Sequence, residues 1–169
     1  MMKSAKNEQV SMEKLLIGNI WNVTKNVIDA NFGHFISWVN IVETTNKMND
    51  IVNSCNDQLL KKFAEQLAIS VIRYISSEQM GEDHLEESKI FNEVFRLLKL
   101  GYWIQYDGDE AAEDWEELIN IARAFPKKVK ERVAGLASSM LASLLEYLSS
   151  LAEHRFNKAM EKVNQAKAG

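Results

Sequence analysis

The chain has 169 residues, enough for one domain of ordinary size with a buried core, and its 46% hydrophobic and 26% charged composition excludes a disordered, collagen-like or disulfide-stapled protein. A net charge of −4 argues against wholesale binding of polyanions or membranes and leaves room only for a local patch. The lone Cys55 permits no internal disulfide and points to a reducing, cytoplasmic setting.

Helical periodicity runs through the chain, and strand-like alternation is almost missing. Residues 1–10 read as a flexible lead, followed by a single helical domain over 11–165. Met12, Leu15, Leu16, Ile20, Val23 and Val27 recur at spacings of three and four and predict a helix over residues 11–30, ended by Asn31-Phe32-Gly33. A second helix carries Phe35, Trp38, Val39 and Val42 as its apolar face, and the polar run Thr44 to Asn49 closes or interrupts it. The third has a broad stripe from Leu59 to Ile75, with Asp57 as its cap and Gly81 beyond its end. Asp83 or Ser88 starts a fourth, with Phe91, Val94, Phe95 and Leu98 inward and Gly101 as the left-handed stop. Residues 102–108 form a loop or lone extended segment, after which Asp109 caps a fifth helix with Trp115, Leu118, Ile119 and Ala122 inward. Phe125-Pro126 breaks that helix.

Pro126 then sits at the first turn of a long final helix running to about Asn164, leaving residues 166–169 as a flexible end. Leu136, Met140, Leu141, Leu144, Leu145, Leu148 and Leu151 cover about half of its circumference, while Gly135, Ser138, Ser139, Ala142, Ser143, Glu146, Ser149 and Ser150 form the opposite arc. Small residues admit a second helix at close range, so Gly135, Ser139, Ala142 and Ser143 are candidate partner contacts; the competing reading has the serines facing water. Residues 133–152 are about the length of a membrane span, but Glu146 and five serines favour a buried helix. No signal peptide or membrane anchor is expected. The fold class is therefore all-α: a bundle of five or six helices with a long C-terminal one.

Charge is uneven along the chain. Residues 1–76 have 8 basic and 7 acidic side chains, residues 77–117 have 3 and 13, and residues 118–169 have 9 and 4. Acids peak at Asp107, Asp109, Glu110, Glu113, Asp114, Glu116 and Glu117; Lys127, Lys128, Lys130 and Arg132 follow Pro126. Acids at the start of the fifth helix suit its dipole, whereas cations at the start of the sixth oppose theirs. Three partners can offset those cations: the chain's own acidic stretch, that of a neighbouring copy, or a polyanion.

Motifs for familiar chemistries are missing. No histidine follows a glutamate at the di-iron spacing, Asp107-x-Asp109 lacks the glycine of a calcium loop, and neither phosphate-binding glycine loop nor nucleophile elbow is present. Catalytic residues, metal and cofactor are accordingly expected to be none. Cys55 reads as a small interior residue, His34 as packed or capping, and His84 and His154 as exposed. Tyr102, Trp103 and Tyr106, with Trp115, form either a partner-binding surface or, the favoured reading, a plug over the core.

In size, helical content and lack of catalytic motifs the chain resembles the small helical subunits of multisubunit CRISPR effector complexes. No motif carries the resemblance, so no residue role is transferred. It implies side-by-side contact with other protein subunits and contact with RNA or DNA backbone through basic patches, for which Lys127, Lys128, Lys130 and Arg132 are the candidates on charge alone. The expected function is a non-enzymatic contact subunit. The alternatives are a dimeric inhibitor or immunity-type protein for a basic partner, and an enzyme whose site is assembled from distant residues.

Overall fold

A computed structural model describes residues 10–31, 34–77 and 80–168. Among these, six α-helices and no strands occur: α1 (Ser11–Ala30), α2 (Trp38–Asn53), α3 (Gln58–Ser77), α4 (Leu85–Gly101), α5 (Asp109–Ala124) and α6 (Glu131–Ala168), with a short 3₁₀ turn, Phe125–Lys128, between the last two. The all-α bundle with a long final helix is as expected.

The principal pairing is α3 against α6, running antiparallel. Phe63 stacks on Tyr147 at 4.9 Å, Gln66 bonds Glu146, the Ser70 and Ser139 hydroxyls meet, and Tyr74 receives Arg132. Around this axis α2 packs on α1 and α3, and α4 on α6. One contiguous core draws on every helix; Ile20, Ile28, Leu67, Val71, Ile90, Leu97, Met140 and Leu144 have essentially no exposed surface. Each such aliphatic side chain contributes about 1.5–3 kcal/mol by leaving water.

Local chemistry fixes most boundaries. Asp57 caps α3 as expected, its Oδ1 accepting from the Leu60 amide at 2.9 Å. Asp109 does not cap α5: it is the first helical residue, preceded by Gly108 at φ 117°, while the Asp107 carboxylate accepts the Gly108 N–H. That φ belongs to glycine, which has no Cβ to clash. At α4, His84 occupies the cap position and Asp83 accepts from the Leu85 amide.

Four expectations are corrected. The α2 helix is continuous through Thr44 and Asn49, and the Thr44 and Thr45 hydroxyls are satisfied within it by donating to the carbonyls of Asn40 and Ile41 one turn back. Its buried face is Thr44, Met48 and Val52, not Phe35, Trp38, Val39 and Val42. Gly101 is no left-handed stop; it ends α4 in ordinary helical geometry, where a Cβ would lie 2.6 Å from Leu148 and 2.8 Å from Leu118. Pro126 belongs to the 3₁₀ turn, so the final helix begins later, at Glu131, and continues beyond Asn164 to Ala168. Of the expected flexible ends, residues 1–9 and Gly169 lie outside the described residues, whereas Val10 is buried in the core.

Candidate interaction surfaces

The four cations after Pro126 divide by environment. Arg132 turns inward: its Nη1 donates to the Tyr74 hydroxyl at 2.8 Å and lies 3.1 Å from Oε1 of Glu87. Glu87 is fully buried, and burial pushes its carboxyl above the usual range despite the opposing pull of Arg132. Gly81 leaves the space for this guanidinium, which a Cβ there would overlap. Arg132 thus joins α3, α4 and α6 and is not displayed for a ligand. Lys127, Lys128 and Lys130 are exposed and make no ion pair among the described residues. Lys127 and Lys128 close the 3₁₀ turn that continues the C-terminal end of α5, where cations are favoured by the dipole; the expected conflict with the helix start does not arise for them.

The aromatic cluster is likewise divided. Tyr102 is buried and Trp103 half-buried, edge to face at 5.1 Å, and the Arg155 guanidinium lies over both rings at 4.3 and 4.6 Å while donating to the Tyr102 carbonyl. Stacking and a charge-assisted bond lock this turn onto α6. Trp115 donates its indole N–H to the Gln105 carbonyl at 2.9 Å. These three residues are the plug. Tyr106 alone of the cluster is exposed, its ring 5.2 Å from that of Phe156.

The small-residue arc of α6 is partly a flank of the α3 contact. Ser139 meets Ser70, Ser143 donates to the Ser139 carbonyl, and Glu146 is bound by Lys62 at 3.2 Å and Gln66 at 3.3 Å, which together hold its carboxyl below the usual range. Gly135 and Ala142 are open, and nothing among the described residues lies within 4 Å of a Cβ built on Gly135.

The most exposed large apolar side chains among the described residues, Trp38 and Phe35, stand where a core face was expected. Ser37 caps α2, its hydroxyl accepting from the Asn40 amide, and the first two turns then present Trp38 (76% exposed), Val39 (63%) and Val42 (41%), preceded by Phe35 (65%). At 3.6 residues per turn, Trp38 and Val42 lie about 80° and 120° around the helix from Met48, outside the buried stripe. The overlooked signal was the run Ile41, Thr44, Met48 and Val52, in which a threonine holds a core position.

The acidic side chains of α5 are exposed, and beside them a groove of about 310 Å³ is walled by Leu100, Trp103, Ile104, Leu118, Ile121 and the carboxylates of Asp114 and Glu117. Of the histidines, His34 is exposed rather than packed, and His154 is exposed. His84 is not free in solvent: its Nδ1 lies 2.7 Å from Asp29 beside the Trp21 ring. Cys55 is buried. Among the described residues no three His, Cys, Asp or Glu side chains converge to hold a metal, and no helix is long and apolar enough to cross a membrane. Comparison with protein families, characterised proteins and solved structures finds no match for this chain.

Proposed function

We propose that this protein is a non-enzymatic helical subunit that works by holding another protein, with the start of α2 as its main contact. The observation that carries this reading is the exposed apolar group of Trp38, Val39 and Val42 on the first two turns of a capped and well-anchored helix, with Phe35 exposed just before its cap. A soluble fold gains nothing by leaving an indole in water. Contiguous apolar surface rimmed by polar residues marks contact sites, and Trp is the side chain most enriched where binding energy concentrates.

A second reading is favoured by Lys127, Lys128 and Lys130, three exposed and unpaired cations within four residues, in keeping with the resemblance to the small helical CRISPR effector subunits. They suit sequence-independent contact with nucleic-acid backbone inside an assembly, while the acidic surface of α5 disfavours binding by the isolated chain. Arg132 is left out of this set because it serves the fold.

One experiment tests both. Tagged protein is recovered from its native source as wild type, as Phe35→Ser/Trp38→Ser and as Lys127→Glu/Lys128→Glu/Lys130→Glu, with helicity checked by circular dichroism. The expected result is a stoichiometric protein partner lost only by the first variant. Loss of nucleic acid only by the second, with a salt slope reduced by about 1 per lysine, supports the second reading. Retention of the same partners by wild type and the serine variant overturns the first.

A further inference from the structure

The last three turns and more of α6 stand clear of the bundle. Ala152 is the last buried residue and Arg155 the last half-buried one; every described residue from Phe156 onward is exposed. A 13-residue projection of this kind reaches about 20 Å at 1.5 Å per residue. It is no random polar tail: Phe156, Met160 and Val163 recur at four and three as a single exposed apolar stripe, with the Tyr106 ring against Phe156 at its root. An exposed apolar stripe on a helix face gains from being covered.

Charge identifies what covers it. Over residues 155–168 there are four basic side chains, Arg155, Lys158, Lys162 and Lys167, and one acid, Glu161. The root of the projection adjoins the opposite pole: Tyr106 touches Phe156, and Asp107, Asp109 and Glu110 follow it directly. A groove of about 490 Å³ at that root adjoins the stripe, walled by Trp103, Ile104, Tyr106, Phe156 and Ala159 with Asp107 and Arg155 at its sides. Root and tip are thus complementary in charge and share one apolar surface. Among the described residues no ion pair joins them within the chain.

We propose that the α6 projections of two copies of this chain pair antiparallel about a two-fold axis, stripe against stripe, with Lys162 and Lys167 of each copy over Asp107, Asp109 and Glu110 of the other. A two-fold operator repeats every contact, so one charge-matched end supplies two. The pairing uses neither the α2 face nor the lysines after Pro126, and it stands or falls separately from the function proposed above.

Sedimentation equilibrium of the full chain from 1 to 500 µM at low and high salt tests this. The expected result is a monomer–dimer equilibrium weakened by salt, as screened charge pairs require. Met160→Ser/Val163→Ser, both at exposed positions, should raise the dissociation constant at least tenfold without loss of helicity. Lys162→Glu/Lys167→Glu should weaken the dimer similarly, and adding Asp107→Lys/Asp109→Lys to that variant should restore it. A chain that stays monomeric throughout assigns the stripe to some other partner and overturns the proposal. So does a dimer that survives the serine pair, or a charge swap without rescue.

Discussion

Glu87 makes the sharpest statement at the scale of one residue. Its carboxylate has no solvent exposure, and its main partner, Arg132, approaches Oε1 at 3.1 Å as a charge contact rather than an aligned hydrogen bond. Desolvation outweighs that attraction and lifts the folded-state pKa above the ordinary 4.5. The folded state therefore holds this proton more tightly than the unfolded chain, so the contribution of Glu87 is fully present below 4.5 and is lost as pH rises through the folded value. In Glu87→Gln the side chain no longer titrates. Urea midpoints from pH 4 to 8 should show wild type losing ground to this variant as pH rises; a wild type that gains would mean that the Arg132 attraction dominates. Arg132 also shows where reading a sequence stops. Counting cations places it with its lysine neighbours, and only Tyr74, Glu87 and Gly81, distant along the chain, reveal that it belongs to the interior.

Two glycines at the scale of the helix separate backbone preference from packing. Gly18 lies inside α1 with nothing within 4 Å of a built Cβ, whereas Gly101 ends α4 pressed between Leu118 of α5 and Leu148 of α6. Gly18→Ala should stabilise by up to about 1 kcal/mol, the helix-interior difference between the two residues. Gly101→Val should destabilise by about 1–3 kcal/mol, because the added methyls displace two buried leucines from different helices. Chemical denaturation of both measures the contrast, and equal effects would exclude close packing at Gly101. The same contrast explains which elements were legible. Helices α1, α3 and α6 carry long periodic stripes, and Asp57 is a local cap, so pattern alone locates the first two and the body of α6, though not its ends. The α2 face was misread because Phe35, Trp38, Val39 and Val42 match helical spacing as well as the true core line does, and periodicity says which residues share a face but not which face is covered. Gly101 and Pro126 were assigned by their usual local roles. In the fold the first is needed for its size and the second for a separate turn. For Tyr102 and Trp103 the sequence leaves a partner surface and a plug both open, and the Arg155 side chain that packs over them is more than fifty residues away.

On the scale of the whole molecule, every helix contributes to one core, and α6 touches α3, α4 and α5. A shared core couples the helices, so circular dichroism and tryptophan fluorescence should report one coincident urea transition in the monomer; two separated transitions would show that the bundle divides. Bundle and projection nevertheless differ in kind. The 38 residues of α6 span about 57 Å, and the bundle grips only the first two thirds. The remainder inherits its helical order from a nucleus already formed below it, because extending an existing helix costs far less than starting one. A helix held at one end is a ruler: whatever takes hold of its tip is set at a distance and an angle fixed by the residue count between the Arg155 clamp and that point. Inserting or deleting one residue there would turn the tip by about 100° while moving it only about 1.5 Å, so the length of this segment encodes orientation far more strictly than reach.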